Sequence, residues 1–298
     1  MSYGKRIDWL IESKRNKEYD NLPSLSNTIV LFDMDGTLTP PRKELCRKVV
    51  QPLENLSLMC EIGILTGSGI EYVRQQLSYL LDKSKIRYKL HLLPCNGTKH
   101  YTPPKSADEK HRIKSEKDMK NYLGDKTFHE LVKILIQQQA HISDYSIPLT
   151  GHFIDYRESM INWCPIGRNA NDKERQRFID RDKSSQTSLR QSYINRIRHG
   201  LKMKGLNKKI VCALGGDTSV DIYPTGWDKT YALDHFKDYD VYFVGDRCEE
   251  NGNDQKIYDA LYDKGRSFKT KGPETTCEII EQTIIPSLIK EITVNTSN

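Results

Sequence analysis

The stretch that decides the fold is TIVLFDMDGT, residues 28–37. Its first five residues form a continuous apolar run rich in β-branched side chains, which is typical of a strand buried on both faces of a parallel sheet. Asp33 follows directly at the carboxyl end of this predicted strand. Because open α/β sheets bind ligands at the carboxyl ends of their strands, Asp33 is the first candidate for a functional side chain.

Two further segments repeat this arrangement of an apolar strand that ends in polar residues. Ile62–Leu65 leads into TGSG at residues 66–69 and then into a helical pattern over Ile70–Leu81. Val241–Val244 ends in GD at residues 245–246. We therefore expect one site, built from separate parts of the chain along one edge of a single sheet.

Two carboxylates at a strand end, two residues apart and followed by a glycine, suit phosphoryl transfer. Asp33 can attack phosphorus and form an aspartyl-phosphate, which divides one difficult displacement into two easier ones. Asp35 is placed to protonate the leaving oxygen and later to deprotonate the incoming one. Taken alone, DMDGT also fits a plain turn or a calcium loop, but the apolar strand before it favours catalysis.

The same carboxylates predict a magnesium site, since Mg²⁺ prefers oxygen ligands and would hold two anionic partners together. We expect it to be bound by Asp33, by the main-chain carbonyl of Asp35 and by the carboxylate of Asp246. The segment GND at residues 252–254 offers further oxygen atoms. Asp254 is expected to act on the metal indirectly or through water.

Candidate groups for the phosphoryl oxygens lie at two other places. Thr66 and Ser68 offer hydroxyl and backbone donors in a turn that opens a helix, where anions are favoured. Lys229 would supply positive charge to the transition state. Singly, the TGSG turn fits an ordinary helix cap and Lys229 a surface lysine. The order of all these segments along the chain favours a shared site.

Between the second and third strands the chain changes character, which indicates an inserted α+β unit. The segment Thr102–Asp125 is highly charged and contains two prolines, so we expect a linker and a variable excursion there. The elements expected after it are a helix over Thr127–Ala140, strands over His152–Tyr156 and Met160–Trp163, a basic helix over Ser184–Lys202, and a hairpin of Ile210–Leu214 with Ser219–Tyr223.

With these motifs in order, the sequence resembles the haloacid dehalogenase superfamily and, more narrowly, the eukaryotic-type phosphomannomutases. The superfamily motifs correspond to Asp33 with Asp35, Thr66, Lys229, and Asp246 with the pair at 253–254. The narrower likeness rests on the stretches DMDGTLTPPR (33–42), NG (96–97), FIDYR (153–157), MINWCPIGR (160–168), GGDTSVD (215–221) and GWDK (226–229).

The resemblance implies an α/β fold: a Rossmann-like core with a parallel sheet plus an inserted α/β cap of the C2 type. The implied boundaries are an N-terminal extension at 1–25, a core from 26–101 and 223–298, and a cap from 102–222. The implied reaction interconverts mannose 6-phosphate and mannose 1-phosphate through an aspartyl-phosphate and a hexose bisphosphate, supplying GDP-mannose synthesis. The implied cofactors are Mg²⁺ and hexose 1,6-bisphosphate as activator. The substrate ligands carried over are Arg42, Arg157, Arg168, Arg175, Ser219 and Asp221.

Departures from the family keep a hydrolase open as the alternative. Family members usually carry glycine where this chain has Thr66, and threonine there is typical of the superfamily's phosphatases. Thr150 replaces a basic cap residue, and the segment Thr102–Asp125 is longer than expected. A phosphatase would result if the closed cap admitted water to the aspartyl-phosphate. A sugar-phosphate binder without turnover is the third interpretation.

The composition of the chain limits the kinds of molecule that we expect it to bind. The chain has 46 basic and 40 acidic residues spread along its length, without a zinc-finger or RNP-type motif, so we expect a small sugar phosphate and no nucleic acid. Seven scattered cysteines with no C-x-x-C spacing argue against a disulfide framework or zinc site and favour the cytoplasm. No membrane partner is expected. The apolar stripe Leu131–Leu135 is compatible with a homodimer through the cap.

Overall fold

The computed structural model describes residue 25 and residues 27–40, 43–184 and 188–295, and these residues form two sheets. The larger sheet has seven strands in the order β11-β10-β1-β2-β3-β4-β5. Five of them are parallel, whereas β4 and β5 run antiparallel at one edge. Its strands are β1 (Thr28–Phe32), β2 (Glu61–Leu65), β3 (Leu90–Leu93), β4 (Lys99–Thr102), β5 (Arg112–Glu116), β10 (Asp240–Gly245) and β11 (Ser267–Lys269).

Apolar side chains cover both faces of this sheet, so β1 is buried at every position and is apolar after Thr28. Val30 and Phe32 lie in one buried cluster with side chains of the helices α1, α2, α3 and α10. Ile29 and Leu31 alternate to the opposite face and pack in a second cluster with α8 and a 3-10 helix over Lys229–Phe236. The helices are α1 (Val50–Ser57), α2 (Ile70–Gln76), α3 (Ser78–Asp82), α8 (Gln255–Tyr262), α9 (Pro273–Ile279) and α10 (Ile285–Asn295).

The second sheet is antiparallel throughout, in the order β6-β7-β9-β8. This sheet and its helices, residues 119–224, share an apolar core of their own, and we call them the cap. Trp163 and Ile222 of the sheet pack there with Ile134, Leu135 and Ile197 of two helices. The cap elements are α4 (Met119–Leu123), α5 (Asp125–Ala140), β6 (Ile154–Tyr156), β7 (Ile161–Trp163), α6 (Asp172–Ser184), α7 (Leu189–Met203), β8 (Ile210–Gly215) and β9 (Ser219–Pro224).

These elements confirm the predicted α/β fold class and the three strands that end in polar residues. The linker prediction was wrong for part of Thr102–Asp125, because Arg112–Glu116 forms the edge strand β5 of the core sheet. The single helix predicted over Ile70–Leu81 is two helices that meet at Leu77, whose φ of −110° is not helical. Helix α6 was not predicted, since only Phe178 and Asp182 of its thirteen residues are buried.

Two broader expectations can be compared with the described residues. Leu131 and Leu135 pack inside the cap core, so this part of the α5 stripe is not available as a surface for a second chain. Within the described ranges, no helix is long and apolar enough to cross a membrane.

The close approach of β1 and β2 gives a test of the core. A Cβ atom on Gly63 would lie 2.4 Å from Cδ2 of Leu31 and 3.2 Å from Cδ1 of Leu93, both on fully buried side chains. We expect Gly63→Ala to lower the free energy of unfolding by about 1–3 kcal/mol in urea denaturation, through overpacking. Gly69→Ala is the control, because a Cβ there has no atom within 4 Å. Equal stability of the two variants would contradict the packing argument.

Candidate active site

The strand register brings the predicted segments together. Phe32 pairs with Val244 on one side and with Ile64 on the other, so the residues after these strands lie side by side. The backbone N–H of Asp33 donates to the carbonyl of Val244 over 2.9 Å. Asp33 therefore lies between the turn that begins at Thr66 and the turn that carries Asp246, as the sequence predicted.

Three carboxylates converge at this edge of the sheet. One oxygen atom each of Asp33, Asp246 and Asp254 can be chosen so that all three lie within 4.8 Å of one another. Asp33 and Asp254 are buried, and Asp246 is half-buried. A set of oxygen donors without nitrogen or sulfur fits a hard divalent cation such as Mg²⁺. The carboxylate of Asp35 is outside this set and accepts a hydrogen bond from the hydroxyl of Tyr72 over 3.0 Å.

Lys229 connects two of these carboxylates from within the protein. Its ammonium group is fully buried, donates to Asp33, and donates to Asp254 over 2.5 Å. Lys229 begins a 3-10 helix whose first turn is capped by Asp228, which accepts from the N–H of Thr230. Burial alone would lower the pKa of Lys229, but the two carboxylates raise it above its usual value. Lys229 is therefore charged and is not a surface lysine.

The carboxylates outnumber the one buried lysine, and their pKa values show the consequence. Burial raises the pKa of Asp33 well above its usual range, and the charges of Asp254 and Asp246 add to this, while Lys229 opposes it. Burial and the charge of Asp254 raise the pKa of Asp246 to about 6. A divalent cation would supply the missing positive charge and keep both carboxylates ionised.

Gly36 allows this close approach of the two turns. Its φ is +84°, and its N–H donates to the carbonyl of Thr39 over 2.7 Å. A Cβ atom at this position would lie 2.2 Å from Oδ2 of Asp246. The glycine after the aspartate pair is thus required both by its backbone conformation and by the carboxylate that packs against it.

The turn after β2 is ordered by its own hydroxyl and by a neighbouring loop. The hydroxyl of Thr66 accepts from the N–H of Ser68 over 3.1 Å. The carbonyls of Thr66 and Ser68 accept from the N–H groups of Asn96 and Cys95. Cys95, Asn96 and Gly97 all have positive φ, so this second loop is tightly bent where it meets the first. The hydroxyl of Thr66 therefore helps to shape the predicted phosphate turn.

Two of the predicted cap arginines face the core across a cleft. Arg157 donates to Asp155 and, over 2.8 Å, to the carbonyl of Gly67 in the core turn. Arg168 donates to Asn162 over 2.8 Å. The cleft has a volume of about 290 Å³, and its lining residues are Ser68, Gly69, Ile70, Glu71, Tyr72, Cys95, Lys99, Asp155, Arg157, Glu158 and Arg168.

The other predicted substrate ligands are placed differently. Asp221 is buried, accepts from the amide of Asn162 over 2.7 Å, and has a pKa raised by burial. Arg175 donates to the hydroxyl of Thr218, and the carbonyl of Ser219 accepts from Arg190. Arg175, Ser219 and Asp221 do not line the cleft described above. Arg42 lies outside the described residues.

Sequence reasoning missed several residues beside this site. Tyr72 contacts Asp35 from the first turn of α2, and Lys99 pairs with Glu158 across the cleft. Arg247, directly after Asp246, reaches Asp217 in the cap. None of them belongs to a short motif, since each contact joins residues at least 30 positions apart.

Comparison with solved structures supports the fold described above. The chain aligns with a Plasmodium falciparum IMP-nucleotidase at a TM-score of 0.57 and 14% identity, covering 96% of this chain and 80% of the other. The D172N mutant of that nucleotidase gives a TM-score of 0.59, again at 14% identity and covering 96% and 80% of the two chains. At this identity the likeness concerns the fold alone.

Comparison of sequences identifies the family. The model of the eukaryotic phosphomannomutases matches residues 49–286. The chain is 33% identical to a phosphomannomutase of Dendrobium officinale over 252 residues, covering 84% of this chain and 91% of the relative. It is 31% identical to a phosphomannomutase of Encephalitozoon cuniculi over 262 residues, covering 86% and 93%. The chain belongs to the eukaryotic phosphomannomutase family.

The raised pKa of Asp246 predicts how stability depends on pH in chelated buffer. The folded protein holds this proton more tightly than the unfolded chain, so stability is lost as the pH rises from about 4 to about 6. We expect Asp246→Asn to be more stable than the parent chain by about 3 kcal/mol at pH 7.5, with the difference vanishing near pH 4. Chemical denaturation at both pH values measures it.

The control for this experiment is Asp259→Asn, because Asp259 is exposed on α8. Added Mg²⁺ should stabilise the parent chain more than Asp246→Asn, since a ligand stabilises the state that binds it. An unchanged stability of Asp246→Asn at pH 7.5 would contradict the crowding of negative charge.

Proposed function

We propose that this chain interconverts mannose 6-phosphate and mannose 1-phosphate. Two observations support the proposal: the buried carboxylate of Asp33 is held by Lys229, and two cap arginines line a cleft together with Tyr72, whose hydroxyl donates to Asp35 beside the nucleophile. This geometry offers a nucleophile at one end of a phosphorylated sugar and cations at the other. Membership of the phosphomannomutase family supports mannose phosphate as the substrate.

In the proposed reaction Asp33 attacks the phosphorus of a hexose 1,6-bisphosphate. The bond between phosphorus and the sugar oxygen breaks, an aspartyl-phosphate forms, and Asp35 donates a proton to the leaving oxygen. The aspartyl-phosphate then transfers its phosphoryl group to the free 6-hydroxyl of an incoming mannose 1-phosphate, from which Asp35 removes the proton. The resulting mannose 1,6-bisphosphate reorients in the cleft, and Asp33 takes the phosphoryl group from its 1-oxygen, which releases mannose 6-phosphate and restores the aspartyl-phosphate. Mg²⁺, held by Asp33, Asp246 and the carbonyl of Asp35, would neutralise charge on the transferring phosphoryl group.

The cap is proposed to bind the phosphate that is not being transferred. A mutase must hold one phosphate away from the nucleophile while the other reacts, and guanidinium groups bind phosphate with two donors. Arg157 and Arg168 line the cleft and are the residues proposed to bind this phosphate. Arg175, Ser219, Asp221 and Arg42 remain proposed ligands, which support the sugar or its second phosphate after a movement of the cap.

A phosphatase is the second candidate, and Thr66 is the residue that favours it. In this structure the hydroxyl of Thr66 is engaged by the N–H of Ser68, which gives it a role in shaping the turn. A water molecule attacking the aspartyl-phosphate would release inorganic phosphate. The family match favours the sugar over water as the acceptor.

We propose that the reaction takes place in the cytoplasm. We also propose that the chain forms a homodimer through the cap. All seven cysteines carry free thiols and five of them are buried, as suits a reducing compartment. The dimer would use a cap surface other than the buried stripe of α5.

A product assay decides between mutase and phosphatase. The protein is incubated with mannose 1-phosphate, Mg²⁺ and a catalytic amount of hexose 1,6-bisphosphate, and mannose 6-phosphate and inorganic phosphate are measured together. We expect mannose 6-phosphate to form in large excess and its rate to depend on the added bisphosphate. Release of phosphate without mannose 6-phosphate would show a hydrolase.

Two substitutions separate chemistry from binding. Asp33→Asn should abolish turnover of every phosphorylated substrate, because an amide cannot act as the nucleophile. Arg168→Ala should chiefly raise KM, since it removes a charge-assisted contact worth about 1.5–3 kcal/mol. Initial rates across substrate concentrations measure both. Equal loss of binding and chemistry in the two variants would contradict this division of roles.

A further inference from the structure

The cap sheet reaches the core with two turns at opposite ends. Ile161 of β7 pairs with Ile222 of β9, and Trp163 pairs with Val220. The β6–β7 turn therefore lies beside the carboxyl end of β9, whereas the β8–β9 turn lies at its amino end. The six residues of β9 separate the two turns by about 17 Å.

The first turn lies where the chain passes between core and cap. The N–H of Met119 donates to the carbonyl of Glu158 over 2.7 Å, and the hydroxyl of Thr98 donates to Ser159 over 2.6 Å. The ring of Trp227, on the returning chain, lies 5.1 Å from that of Tyr122. This end of the sheet is the hinge side of the cap.

At the far end the β8–β9 turn is bound by an arginine of the core. Arg247 donates to the carbonyl of Gly216 over 3.0 Å and forms an ion pair with Asp217. The same carbonyl accepts from Arg190 of the cap, whose guanidinium also pairs with the buried Asp182. The turn is therefore held on a rigid part of the cap, and β9 leads from it to Ser219 and Asp221.

The backbone of Arg247 is hydrogen-bonded to Asp254, at the edge of the core sheet that carries Asp33. Its N–H donates to Oδ2 of Asp254 over 3.1 Å, and its carbonyl accepts from the N–H of Asp254 over 3.1 Å. Asp254 is one of the two carboxylates that bind Lys229. Arg247 thus joins the carboxylate network directly to the part of the cap farthest from the hinge.

We propose that Arg247 is a positioning residue that latches the cap closed through Asp217 and the Gly216 carbonyl. A contact far from a hinge has the longest lever arm, so it fixes the orientation of the cap most strongly. The latch keeps β9, whose Asp221 lies beside the core turn at Gly67, at a fixed distance from the core, and it must break whenever the cap opens. What the closed cleft contains rests on the proposed function, but the closure itself does not.

A double-mutant cycle tests the latch in the full chain, with Arg247→Ala, Asp217→Ala and the double variant. Each single change should raise KM for mannose 1-phosphate about fivefold and change kcat less than about twofold, because closure stabilises ground and transition states alike. The double variant should be no worse than Arg247→Ala, which already loses the contacts with both Asp217 and the Gly216 carbonyl. Since the pair is partly exposed, added KCl should raise KM more in the parent chain than in the variants, which lack the pair that salt screens.

The matched control is Arg266→Ala, because Arg266 pairs with Asp240 within the core and is of similar exposure. Small-angle X-ray scattering without substrate is the second readout. We expect a larger radius of gyration for Arg247→Ala and Asp217→Ala than for the parent chain and the control. Asp217→Ala breaks the contact from the cap side, so the test survives if one variant does not fold.

Additive effects of the two single changes on KM would overturn the proposal, as would scattering curves identical to those of the control. The scattering comparison is independent of which substrate is turned over. A chain that is inactive on mannose 1-phosphate but shows the scattering difference would refute the proposed function and support the latch.

Discussion

The candidate active site depends on the buried ion pairs that Lys229 forms with Asp33 and Asp254. A charge in the interior is tolerated only when it is paired and hydrogen-bonded, so the lysine fixes the positions of both carboxylates. These three residues come from the end of β1, the start of a 3-10 helix and the residue before α8. One interaction thereby aligns three separate parts of the chain around the predicted nucleophile.

The carboxylates of this network carry more negative charge than Lys229 neutralises, and this excess accounts for the chemistry of the site. Asp33, Asp246 and Asp254 face one buried ammonium group, and the pKa values of Asp33 and Asp246 are raised by burial and by their like charges. Protons, a divalent cation or both must balance the excess. A site that needs positive charge where a phosphoryl group arrives is suited to metal-dependent transfer and is poorly suited to a role in stability alone.

The polar groups of the cap that face this edge of the sheet are hydrogen-bonded to one another and to the core. Arg157 donates to Asp155 and to the carbonyl of Gly67, while Arg168 lies within 3.7 Å of the same Asp155. A phosphate in the cleft must compete with Asp155 for these donors. Binding of a phosphate therefore requires Arg157 and Arg168 to exchange their contacts with Asp155 for contacts with the phosphate oxygens.

The sequence by itself determined the fold class and the three strand ends that carry Asp33, Thr66 and Asp246, because local apolar runs specify buried strands and motif spacing specifies their tips. Only the tertiary structure decided which charges are buried. The order of the motifs assigned Lys229 to the site, but its burial is seen only in the contact with Asp33, which is 196 positions away in the sequence. The edge strand β5 escaped prediction because all five of its residues are exposed. Arg247 and Tyr72 likewise act through long-range contacts, which no local pattern encodes.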